Sequence, residues 1–147
     1  MEYATFNVII YRMTPKKDRL LEYIDEMEKD VQVDELSVKE VQMKLPALKH
    51  KWVGRLMRHK AIIGGLYRKK EAMKREAGEK MKESTMYNMS DVALDKLIEK
   101  QDSIMDLNTE ISEHKLVVEF LEKSERIFSS FTFDIKNLVE VMKLETF

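Results

Sequence analysis

Arg68, Arg75 and Lys82 recur at intervals of seven residues, and Lys51, Arg55 and Arg58 at intervals of four and three, so on a helix each set stacks along one side. Cations repeated about every 10 Å, the rise of two helical turns, suit a phosphate backbone. Each Lys or Arg displaces counterions there without reading a base. Lys69, Lys70 and Lys74 join the set by charge and neighbourhood. Trp52 and Tyr67 interleave with the cations and are candidates for base stacking. Both lie close to an apolar stripe; core packing is the stronger reading of Trp52, while Tyr67, at the stripe's edge, fits either. The bland alternative for the cations is a solvated face balanced by acidic segments.

Charge along the chain is segregated. Residues 44–82 hold 13 Lys/Arg against 3 Asp/Glu, a net +10, whereas residues 1–43 hold 6 against 10 and residues 83–147 hold 7 against 14. A nearly neutral protein with one strongly basic stretch suggests a designated surface for a polyanion. No catalytic constellation accompanies it. Gly64-Gly65 lacks the spacing of a phosphate loop and a following Lys-Ser/Thr. His50 and His59 are nine apart, not at metal-ligand spacing, and His114 sits on an apolar seam, as a packed or partner-contacting residue would. The carboxylates of 83–147 read as a solvated face. No enzyme activity, cofactor or metal is expected, and the absence of cysteine excludes disulfides and thiolate sites. No apolar run approaches the ~20 residues of a spanning helix, so a soluble intracellular protein is expected.

Four Gly, two Pro and 36% charged residues in 147 argue for long helices with few connections. The expected class is all-α. Residues 1–13 read as a subunit-packing arm, a disordered leader, or an extension upstream of a start at Met13; residues 14–147 read as one helical domain. Thr14-Pro15 signals a helix start, after which Leu20, Leu21, Ile24, Met27 and Val31 recur at helical spacing to about Asp30. Val31–Asp34 is a short connector. Leu36, Val41 and Leu45 open a second pattern that Pro46 must kink or restart. Beyond it Leu48, Trp52, Leu56, Ile63, Leu66, Met73, Ala77 and Met81 form the stripe of a basic helix roughly 55 Å long at ~1.5 Å per residue. Gly64-Gly65 marks an expected bend or close backbone contact. Ser90-Asp91 caps a short helix to about Lys100. From Ile104 to Met142 a seam alternates threes and fours, as in a coiled coil. It includes Ile111, His114, Val118, Leu121, Glu125, Phe128, Phe131, Ile135 and Leu138. Ser129, Ser130 and Thr132 are expected to interrupt it as a bend or hairpin, with Phe131 and Phe133 at the corner.

Five segments stand in this order: EKDVQVD (Glu28 to Asp34), LPALKHKW (Leu45 to Trp52), KKEAMKR, QDSIMDLNTEI and the ending VVEFLEKSERIFSSFTFDIKNLVEVM. Together they resemble the UvsY family, the recombination mediators of T-even-type bacteriophages. The resemblance implies ring-like homo-oligomers of small helical subunits that bind single-stranded DNA. Such assemblies load a RecA-like recombinase, UvsX, onto DNA covered by the phage single-strand-binding protein, in the cytoplasm of the infected host. By position, Arg75 matches a basic residue of the family's DNA-binding helix, and Lys51-Trp52 its basic-aromatic pair. Where relatives often carry a basic residue, an aromatic pair and Gly, this chain departs with Ala77, Lys80, Met81 and Lys82.

The combined expectation is a non-enzymatic mediator. It would bind DNA through residues 44–82 and assemble through residues 104–145, at Ile111, Val118, Leu121, Phe128, Ile135 and Leu138. The alternative is a coiled-coil scaffold whose basic helix pairs with a neighbour's acidic half, without nucleic acid. A membrane-surface helix is a weaker third, for want of an apolar wedge.

Overall fold

The computed structural model describes residues 16–84 and 89–146. Among these the chain is all-α: four helices account for nine-tenths of the residues, with no strand. They are α1 (Lys16–Asp30), α2 (Val38–Ser84), α3 (Asp91–Glu99) and α4 (Asp102–Glu145). The helix-start signal at Thr14-Pro15 and the arm at 1–13 lie outside the described residues.

Local chemistry sets the boundaries. After α1, Asp34 Oδ1 accepts hydrogen bonds from the backbone N–H of Leu36 (3.0 Å) and Ser37 (2.8 Å), while Ser37 Oγ accepts from Asp34 N–H (3.0 Å). This reciprocal cap satisfies donors that no earlier helical turn can reach. Leu36, expected to open the second apolar pattern, is exposed; Val38 takes the buried place. Pro46 lies inside α2 and cannot donate to the carbonyl of Gln42, yet the helix runs through it without a restart. Gly64-Gly65 makes no close backbone contact. A Cβ added at either would meet only the guanidinium of Arg68, at 3.7 and 3.9 Å.

The fold comprises two compact units, one formed by residues up to Arg58 with those from Leu116 onward, the other by His59–Lys115. In the first, Tyr23 and Met27 of α1, Val38, Leu45, Trp52 and Leu56 of α2, and Val117, Leu121, Phe128, Phe131 and Ile135 of α4 form the core. Trp52 packs edge-on to Tyr23, with ring centroids 5.8 Å apart, and tilted against Phe128 at 6.5 Å. Each large apolar side chain so buried contributes about 1.5–3 kcal/mol. Leu21 and Ile24, which share the helical spacing of α1, face outward instead.

In the second unit α3 lies on α2. Ser90 caps α3, its Oγ accepting from Ala93 N–H at 3.2 Å. Leu94 and Ile98 are buried with Ile104 against Met73, Ala77 and Met81. A Cβ added at Gly78 would meet Ile98 Cδ1 at an ordinary contact distance of 3.7 Å.

α4 is a single helix, which excludes the hairpin alternative at 129–132. Thr132 Oγ1 donates to Phe128 O (2.8 Å), so the hydroxyl is satisfied on the preceding turn and the helix continues. Phe131 is buried, but Phe133 is exposed rather than packed at a corner.

Candidate nucleic-acid interface

The basic stretch falls entirely within α2, and the structure sorts its cations by the company they keep. In the first unit, Lys51 Nζ contacts Glu26 Oε1 (2.9 Å) and Asp30 Oδ2 (2.6 Å), and the Arg55 guanidinium takes both oxygens of Glu26. Trp52 Nε1 donates to Asp30 Oδ2 at 2.9 Å. The Arg55 guanidinium also lies 4.7 Å from the ring centroids of both Tyr23 and Trp52, an arrangement that adds cation–π attraction to the charge pairs. Burial pushes the Glu26 carboxyl up, but the hydrogen bonds and charges of Arg55 and Lys51 outweigh it and hold the group below its ordinary range.

These contacts bear on two sequence-based expectations. Lys51 and Arg55 are engaged with carboxylates of α1, and Trp52 packs in the core, the stronger of its two readings. Trp52 is 3% exposed and has no open ring face for a base. Arg58 differs: it is exposed, and its Nε donates to Gly54 O on its own helix at 3.3 Å.

In the second unit the cations divide around α2. Lys70 Nζ reaches Glu99 Oε1 at 3.4 Å, and Lys74 Nζ reaches Asp95 Oδ1 and Glu99 Oε1, both at 2.9 Å. Hydrogen bonding to Glu99 and Asp95 raises the Lys74 pKa, and the bond from Lys74 lowers that of Glu99. Arg68, Lys69, Arg75 and Lys82 are exposed, and no carboxylate among the described residues pairs with them. At seven-residue spacing Arg68, Arg75 and Lys82 stay on one side of α2, away from Ala77 beneath α3. Glu79 lies beside this row, between Arg75 and Lys82. Tyr67 is 39% exposed, with Lys115 Nζ 5.2 Å from its ring centroid. It is the aromatic candidate that retains open surface.

The match that decides the family covers α1 from Glu26 through α4. The family model described as "Recombination, repair and ssDNA binding protein UvsY" matches residues 26–146. The chain belongs to the UvsY family. Comparison with curated proteins found no match, and comparison with solved structures found none.

Membership places this chain in a family described by recombination, repair and binding of single-stranded DNA. No helix among the described residues is long and apolar enough to cross a membrane, and none of their acidic, His or Cys side chains cluster to hold a metal. In this UvsY-family chain Ile111, Leu121, Phe128 and Ile135, expected to assemble subunits, are buried within one chain, while Val118 and Leu138 are half-buried. Leu121, Phe128 and Ile135 of these belong to the core of the first unit.

Sequence reasoning did not anticipate Glu26 and Asp30 as partners of Lys51, nor Asp95 and Glu99 as partners of Lys74. The available signal was the acidity of both flanking segments. It also missed a buried pair in the second unit: His59 Nδ1 lies 2.9 Å from His114 Nδ1. One ring must donate there and the other accept, which satisfies both at little cost in a dry site. This is the packed histidine that the seam position of His114 suggests.

Proposed function

We propose that the protein is a recombination mediator that binds single-stranded DNA and promotes loading of a RecA-like recombinase onto strand covered by single-strand-binding protein. The observation that carries the DNA surface is the row Arg68, Arg75 and Lys82, with Lys69 beside it, exposed and without carboxylate partners among the described residues, in a family described as binding single-stranded DNA. Tyr67 supplies the aromatic face at its edge. Such a row contacts few phosphates per subunit and binds weakly; a homo-oligomer holds several rows at high effective concentration. A strand held this way is ordered for the recombinase and harder for a competing binder to occupy.

In this reading the oligomer is built from apolar side chains left outside the core. Phe133, Val141 and Leu144 are exposed on α4 and fall within about 80° of one another around the helix at 3.6 residues per turn.

The test of the DNA surface is R68A/R75A, assayed for affinity to an oligothymidylate across a salt series. The expected result is weaker binding with a log–log salt slope shallower by about 1.4, at ~0.7 per lost phosphate contact on single strands. An unchanged slope removes this row from the interface.

A further inference from the structure

Lys70 and Lys74 point toward α3, and their side chains are only 17% and 21% exposed, covered by the carboxylates of Asp95 and Glu99. Glu99 is held from its far side by Asn108 of α4, whose Nδ2 donates to Oε2 at 3.3 Å. A cleft of about 410 Å³ beside these pairs is lined by Arg75 and Lys82 on α2 and by Asp91 and Asp95 on α3. One face of α3 thus sets acidic groups along the cations of α2. The helix is also lightly held. It is nine residues long, and only Leu94 and Ile98 of it are buried, whereas an isolated helix of that length is marginal in water.

We propose that α3 is an internal competitor for the strand-binding face: its carboxylates screen Lys70 and Lys74, and a bound strand displaces them phosphate for carboxylate, enlarging the cationic surface. The proposal rests on the reading of α2 as the strand-binding helix. Each exchange replaces one anion by another, so a single mononucleotide gains little. A continuous strand already anchored on Arg68, Arg75 and Lys82 delivers its next phosphates at high local concentration and shifts the balance. The device favours long strands over short ones and free nucleotides.

The test is D95N/E99Q, which keeps the shape of both side chains and removes their charge, compared with wild type and with the charge-matched control E125Q/D134N on α4. Binding of an oligothymidylate at low salt is expected to tighten roughly five- to tenfold beyond the control, with a salt slope steeper by up to about 1.4 as two lysines gain phosphates. Equal changes in the two variants overturn the proposal and leave strand binding by α2 standing. Absence of binding by wild type overturns both. A second measurement needs no variant: hydrogen exchange of the wild-type protein, with and without the oligonucleotide. Faster exchange across residues 91–99 on binding is the expected result, and unchanged or slower exchange there overturns displacement even if the variant does not fold.

Discussion

Glu26 shows how a carboxylate decides what a cation is for. It accepts from Lys51 and Arg55 at once, and its folded pKa lies below the ordinary 4.5. A carboxyl with a depressed folded pKa binds fewer protons folded than unfolded. Its contribution is therefore present above pH 4.5 and lost as pH falls through the lower folded value. Because more than a third of its side chain is exposed, screening limits that contribution to about 1 kcal/mol or less. Acid denaturation followed by circular dichroism is expected to show a shallower loss of stability below pH 4.5 in E26Q than in wild type. Parallel curves would mean the cluster is electrostatically inert. At this scale the sequence was least legible. Spacing showed that Lys51 and Arg55 share a side of α2, but not that a carboxylate 25 to 29 residues earlier folds onto them. For Arg68, Arg75 and Lys82 no such partner lies among the described residues, and their role in binding a strand is the proposal made above.

Helix boundaries were far more legible, because caps are local chemistry. Ser90-Asp91 starts α3 where the cap signal places it, and the connector after Asp30 is a turn. What could not be read was how context overrides weak breakers. α2 passes through Pro46, Gly64 and Gly65, and α4 passes through Ser129, Ser130 and Thr132, of which Thr132 bonds its hydroxyl back to the preceding turn. The seam of α4 also changes phase. Buried positions run 104, 107, 111, 114 and then 117, 121, 124, 128, so two consecutive steps of three replace the expected alternation and Val117 and Ser124 take the places assigned to Val118 and Glu125. The slip falls beside the unit boundary at Lys115, a coincidence invisible without knowing the packing partners. The glycines yield a prediction here. Since an added Cβ at Gly64 meets only a flexible guanidinium at ordinary contact distance, G64A is expected to raise stability by about 0.5–1 kcal/mol through helix propensity. A loss of stability in chemical denaturation would mean that the site needs a bare backbone.

For the whole molecule, the all-α class followed from scarce turn residues and long periodic runs, whereas the division into two units did not, because the long helices give no composition break at Arg58 or Leu116. The proposed assembly is testable at this scale. V141D/L144D is expected to lower the solution mass, measured by sedimentation, while leaving helicity intact, since both side chains lie outside the core. A mass equal to that of wild type would exclude this stripe as the contact. Trp52 has one more consequence. It is the only tryptophan in the chain, and the side chains around it, Tyr23, Phe128, Lys51 and Arg55, all belong to the first unit. Its fluorescence is therefore an optical gauge of that unit, set apart from the strand-binding face proposed on residues 59–115, and ready to show whether that unit melts in step with total helicity.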